Sequence, residues 1–220
     1  MSKRLVSTMM LAMLLVCTGT WALNVHPVKQ VKASTSATPS PYETATAIVN
    51  FTPPAFNLVA KGLWTTVYIE LPSGYDVNGT EVSNVAINKT IYPDASMPAQ
   101  IGDFDHDSIP DLMAKFDRTE IIGLLLALGQ DNGTAILTLT GRLNRTISFE
   151  GSEAVRFSKM GGDVNCDGAV GIFDAVATLS CYGAREDEPN WNPNANFLES
   201  WNVINLYDVI VIVAHYGQHF

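Results

Sequence analysis

Basic residues, histidine, cysteine and long apolar runs are all scarce in this chain. Its 220 residues carry 13 Lys and Arg against 22 Asp and Glu, with 4 His and 3 Cys. A formal charge of -9 argues against nucleic acid or anionic lipid as partner, because both are bound through clustered cations. His106 is the sole histidine of the central region and sits inside an acidic loop, which leaves a hydrolytic triad there without a base. Beyond the N-terminal segment the only cysteines are Cys166 and Cys181, one in a loop and one at the end of the helix expected after it. At about 1.5 Å per helical residue their separation exceeds the roughly 7 Å that a disulfide spans between α-carbons. Two free thiols or an intermolecular bridge remain.

Residues 5–16 form an apolar run, preceded by Lys3 and Arg4 and followed by Thr20-Trp-Ala22. This is the pattern of a signal peptide over residues 1–22, and it implies a secreted, extracellular or cell-surface protein. An uncleaved anchor needs about 20 apolar residues, more than this run supplies. A lipoprotein acylated at Cys17 would follow a bulky Val16. Removal of the segment moves the formal charge from -9 to about -11. Residues 23–44 are rich in Ser, Thr, Ala and Pro without apolar periodicity and read as a flexible linker. The rest, in a chain that is 47% apolar, suffices for one medium domain, residues 45–159, beside a small one, residues 160–220.

The small region repeats itself. Gly171-Ile-Phe-Asp-Ala-Val-Ala-Thr-Leu-Ser-Cys-Tyr-Gly183 and Asn205-Leu-Tyr-Asp-Val-Ile-Val-Ile-Val-Ala-His-Tyr-Gly217 align without a gap. Ahead of the first copy, Asp163, Asn165, Asp167 and Asp174 fall at loop positions 1, 3, 5 and 12, with Gly168 at the sharp turn and the Ala169 carbonyl at position 7. Calcium takes six to eight oxygens, and alternate side chains of one tight loop supply them at this spacing. The stretch ahead of the second copy, residues 196–208, is one residue longer, puts Trp201 near position 5 and has Asn202 in place of the glycine. It reads either as a weak calcium site held by Asn196, Glu199 and Asp208 or as a turn that binds no metal.

A duplicated loop-helix with no helix entering the loop resembles a dockerin, and the connecting Pro189-Asn-Trp-Asn-Pro-Asn-Ala195 is similar to the linker of archaeal-type dockerins. The resemblance covers about residues 162–220. It implies a small all-α module that folds on Ca2+ and docks into a cohesin. It also implies that Ile172 and Phe173, with Leu206 and Tyr207, choose the partner. Their alternative role is to seal a small core, for which Val176, Leu179, Val209, Ile212 and Val213 are the other candidates.

In residues 45–159, β-rich runs alternate with turn residues at 46–51, 63–71, 85–92, 112–116, 121–128, 135–143 and 154–157, which predicts an all-β sandwich. Val67, Ile69 and Leu71 alternate with Thr66, Tyr68 and Glu70, as in a half-exposed strand. Asp131-Asn132-Gly133 predicts a hairpin turn. Asp103, Asp105, Asp107 and Asp111, at positions 1, 3, 5 and 9 of another loop, repel one another unless a cation or protons intervene. They and the Ile109 carbonyl are a second candidate calcium site. Residues 57–62, 68–76, 103–117 and 149–156 together resemble an extracellular β-sandwich module found beside dockerins, with His106 and Ser108 where glycines are usual.

Asn50, Asn78, Asn88, Asn132 and Asn144 open Asn-x-Thr sequons and are candidate N-glycan sites. The expected fold class is thus an all-β sandwich followed by a small all-α dockerin-like module. The expected function is a secreted, non-catalytic component of an extracellular complex, docking to a cohesin-type partner and linked to polysaccharide binding or catabolism. Its competitors are a carbohydrate-active hydrolase built on Glu70, Glu81, Glu120, Glu150 or Glu153, a carbohydrate-binding accessory protein in which Trp64, Tyr68 or Tyr75 stacks on sugar, and a structural cell-envelope glycoprotein.

Overall fold

The computed structural model describes residues 44–220 apart from 73, 79–81, 144–146, 187 and 199–202. The signal segment, all of the linker but Thr44, Asn144 and Glu199 lie outside the described residues. The described residues belong to one compact unit, Pro39–Phe220.

Among the described residues nine strands build two sheets: β1 (Thr44–Thr46), β2 (Ile48–Thr52), β3 (Ala55–Asn57), β4 (Trp64–Glu70), β5 (Val82–Ile87), β6 (Gln100–Gly102), β7 (Asp111–Asp117), β8 (Asn132–Leu143) and β9 (Ile147–Ser158). One sheet runs β1-β9-β8-β5, with β3 also paired to β9. The other runs β2-β4-β7-β6 and is antiparallel throughout. Period-2 patterning places the sheets face to face: Thr65, Val67 and Ile69 of β4 are buried, while Trp64, Thr66, Tyr68 and Glu70 look outward. Phe51, Phe116, Leu139, Phe149 and Phe157 fill the space between.

Three α-helices occur among the described residues: α1 (Arg118–Leu126), α2 (Ile172–Ser180) and α3 (Leu206–His215). The first stands where a strand over 121–128 was expected. Asp117 closes β7 and caps the helix, its carboxylate accepting from Thr119 N at 2.7 Å, and Ile121 and Leu125, one turn apart, enter the sandwich core. Asn132 and Gly133 are not a hairpin turn but the start of β8, opposite Ser158 and Phe157.

The expected fold class is overturned. The chain is a mostly β structure of two sheets with helices in both its halves, not an all-β sandwich followed by a small all-α module. Among the described residues of 160–220 the α-helices span only Ile172–Ser180 and Leu206–His215, and the buried cluster comes largely from loops: Val164, Val170, Cys181, Ala184, Ala195 and Ile204, with Ile212 from α3. Each helix buries a narrow stripe, so Val176, Leu179 and Val213, expected in the core, are exposed. This cluster is too small to be a core of its own, and the segment instead leans on the sandwich through buried polar groups.

Asn57 at the end of β3 donates from Nδ2 to the carbonyls of Met160 and Asp163, both at 2.8 Å. Asn194, in the 3-10 turn Pro193–Ala195, donates from Nδ2 to Ala55 O and Val164 O at 3.0 Å and accepts from Asn57 N at 2.9 Å. It also accepts from the fully buried Arg118 guanidinium, which lies over the Phe56 ring. A methyl group added at Gly62 would lie 2.2 Å from Pro193 Cβ, a measure of how closely the two halves approach.

The repeat survives as a crossed pairing. Ala169 bridges His219 and Val203 bridges Arg185, so the residue five places before each closing Asp pairs with a residue a few places beyond the other copy's helix. Gly217 N donates to Val170 O, as Gly183 N donates to Ile204 O.

Candidate functional site

The loop of residues 103–111 joins β6 to β7 at the edge of the second sheet. Ser108 N donates to Asp103 at 3.1 Å, Asp107 N to Asp105 at 3.2 Å and Ile109 N to Asp107 at 2.7 Å, while Phe104 N donates to the closing Asp111 at 3.0 Å. His106 and Ser108 stand in the left-handed region at φ 66° and 74°, where side chains are strained and glycine is usual. Carboxylate oxygens of Asp103, Asp105 and Asp111 come within 4.8 Å of one another, as do those of Glu70, Asp105 and Asp107. Asp103, Asp105, Asp107 and Asp111 are thereby brought together as a hard-cation donor set, with the Ile109 carbonyl on the same loop.

Glu70 is a member that sequence reading missed, for it lies more than thirty residues from the loop. Only the register of β4 against β7, which puts Glu70 opposite Asp111, reveals it. Desolvation, and then the charges of Asp107, Asp111 and Asp105, hold the Glu70 carboxyl above its ordinary range. Asp111 is likewise raised, first by burial and also by its acidic neighbours, against the lowering bond from Phe104 N.

The loop of residues 163–174 leaves β9 through a short turn and enters α2. Its bonds repeat those of the acidic loop: Gly168 N to Asp163 at 3.1 Å, Asp167 N to Asn165 at 2.9 Å, Ala169 N to Asp167 at 3.0 Å and Val164 N to the closing Asp174 at 2.8 Å. The left-handed positions repeat too, at Cys166 with φ 53° and Gly168 with φ 90°. Asp174 also accepts from Gly171 N at 2.8 Å and so caps α2. Asp163 is fully buried, and desolvation raises its pKa in spite of the bonds from Ser158 and Gly168. Asp163, Asp167 and Asp174 do not converge as the sandwich carboxylates do; Asn165 and the Ala169 carbonyl complete the donor set along one loop.

In the second copy, Phe197 N donates to Asp208 at 2.9 Å and Asn205 N to the same carboxylate at 2.8 Å. Asp208 therefore caps α3 as Asp174 caps α2, and Asn196 takes the place of Asp163. Asn196 is buried and its Oδ1 has no partner among the described residues, while Glu199 lies outside them.

Ile172, Phe173, Leu206 and Tyr207 are all well exposed, Phe173 at 71%. They open two matched rows: Val176 and Ile210, Leu179 and Val213, and Tyr182 and Tyr216 are exposed at equivalent positions of the two copies. These rows carry no charged side chain.

Cys166 and Cys181 are free and buried, and burial pushes their thiols up to about 12 and about 11, which keeps them unreactive. Among the candidate glycan sites Asn50, Asn78 and Asn132 are exposed, whereas Asn88 accepts from Thr138 N at 2.9 Å. No helix among the described residues is long and apolar enough to cross a membrane.

No protein-family model and no curated protein matches the chain. Among solved structures it is similar to a DUF4426 family protein from Pseudomonas aeruginosa PAO1, at 12% identity over 51% of this chain and 89% of that one, with a TM-score of 0.24.

Proposed function

We propose that this chain is an exported, non-catalytic docking protein that presents the matched apolar rows of α2 and α3 to a cohesin-type partner. The observation that carries this reading is the exposure of five equivalent pairs of apolar side chains, uncharged and including four aromatic rings, on an otherwise acidic protein. Contiguous exposed apolar surface of this kind is what interaction sites show, with aromatic side chains as the usual anchors. The dockerin resemblance names the partner class for the repeat, which acts here while resting on the sandwich.

Calcium is the cofactor of this proposal. Asp163, Asn165, Asp167, Asp174 and the Ala169 carbonyl would hold one ion and so set the start of α2. Asp103, Asp105, Asp107, Asp111 and the Ile109 carbonyl, joined by Glu70, would hold a second at the sandwich edge. Asn196 and Asp208 offer a neutral oxygen and one carboxylate, a weaker set. Buried Asn196 Oδ1, which has no donor among the described residues, supports a cation there over a plain turn.

The test is capture by the full-length chain, with calcium and with chelator, from the secreted and envelope fraction of its own source. Recovery of a cohesin-bearing protein by wild type but not by Phe173→Asp/Tyr207→Asp is the expected result. Recovery unaffected by the double substitution contradicts the proposal.

A further inference from the structure

Beyond docking, we propose that the groove over the outward face of the second sheet binds a neutral oligosaccharide. The groove, about 690 Å³, runs between β4 and a wall formed by Glu186, Glu188, Pro189 and Trp191 to Pro193. Its floor is the outward row of β4, Trp64, Thr66 and Tyr68, and Trp191 stands in the facing wall. Trp64 and Tyr68 lie four residues apart on one strand face, roughly 13 Å, so they meet separate, non-adjacent rings of an extended chain and not one ring twice. Tyr68 packs against Phe104 of the acidic loop, with ring centroids 5.0 Å apart. Trp191 is anchored in the buried cluster of the C-terminal half. The aromatic faces are therefore held by the fold before any ligand arrives, which lowers the ordering cost of binding.

The lining also carries polar groups of both kinds: the Thr66 hydroxyl, the Gln100 amide, the Lys115 ammonium, and the Glu186 and Glu188 carboxylates, of which Glu188 accepts from Arg185 N at 2.8 Å. A pyranose offers an apolar face of C–H groups to an aromatic ring and a rim of hydroxyls that donate and accept. Such a ligand meets both the rings and the polar groups of this lining. A proline-rich peptide, the other ligand that aromatic grooves take, brings acceptors and few donors, and offers little to the amide and carboxylate oxygens of the lining. Apolar ligands would strand these polar groups.

The test is titration of the full-length chain with cellohexaose, xylohexaose, mannohexaose and chitohexaose, and separately with a peptide of residues 34–41. Saturable binding of at least one hexaose is expected. Trp64→Ala or Tyr68→Ala should weaken it about tenfold, from the loss of one stacking surface. Thr66→Arg should abolish it by filling the floor while leaving every ring in place. Phe173→Asp, on the docking face, should leave it unchanged, which separates this site from the docking proposal. Absence of binding to all four sugars, binding that survives the three groove substitutions, or binding of the peptide alone overturns the inference.

Discussion

The acidic loop of the sandwich and the loop that enters α2 share a backbone and differ in what surrounds it. Both bend left-handed at positions 4 and 6, and both run the same chain of bonds from backbone N–H to side-chain oxygen, from position 6 to 1, 5 to 3, 7 to 5 and 2 to the closing acid. In the sandwich loop the closing acid is on a strand, the carboxylates crowd together at an exposed edge, and a fifth, Glu70, joins them. In the other the closing acid caps a helix, Asp163 is buried, and the loop is tied to the sandwich by Asn57 and Asn194. The same ligand spacing thus serves two states: a charge cluster that a cation would relieve, and a bonded frame that a cation would tighten.

The largest effect should come from cutting the frame loose. Asn194→Ala removes four bonds and strips the buried Arg118 of a partner, a loss of about 3 kcal/mol in urea unfolding. Burial already brings the Arg118 guanidinium down to about 10, so it stays charged at neutral pH and needs that acceptor. An unfolding midpoint like that of wild type would show that the two halves are not joined as described.

Asp174→Ala, which uncaps α2, should cost about 2 kcal/mol even without divalent ions. Asp105→Asn, at the crowded edge, should under the same conditions leave stability unchanged or raise it, and remove the sandwich loop's share of the stabilisation that calcium gives wild type. Parallel thermal melts with chelator and with calcium separate the two; equal losses from both substitutions would erase the distinction between the loops.

The pH response has a definite sign. Glu70, Asp111 and Asp163 have raised pKa values in the folded protein, so the folded state binds more protons than the unfolded one between the ordinary and the raised values. Their unfavourable contribution is absent below the ordinary carboxylate range and fully present above the raised values. With chelator, stability at these sites should therefore fall as pH rises through that window, and calcium should flatten the fall. Melts from pH 3 to pH 7 check this against the opposite slope expected of depressed carboxylates.

The smallest effect concerns the shared turns. His106→Gly and Ser108→Gly should each stabilise by about 0.5–1 kcal/mol, since both residues sit where glycine is unstrained, whereas Gly168→Ala should cost about 1 kcal/mol. Chemical denaturation of the three variants tests whether the two loops share their backbone in solution.

The strands of the sandwich were legible where alternation was strong, as in Val67, Ile69 and Leu71, and both acidic loops were legible as tight turns from spacing alone. What escaped was set by partners far off in sequence. Residues 121–128 read as apolar strand because the Asp117 cap and the core that Ile121 and Leu125 enter do not show in local pattern. Glu70 needed the register of β4 on β7. Asn57, Arg118 and Asn194 carry no motif, and without them the C-terminal half looks like a free-standing helical module. Val176, Leu179 and Val213 looked like core because apolar residues at helical spacing usually are, but loops fill this small core and leave the helix faces outside.

The most direct test is the affinity of the full-length chain for a captured cohesin as free calcium is varied, compared among wild type, Asp163→Ala and Asp105→Asn. The account predicts calcium-dependent docking that Asp163→Ala loses and Asp105→Asn retains. Docking that ignores calcium, or that fails in Asp105→Asn and survives in Asp163→Ala, would contradict it.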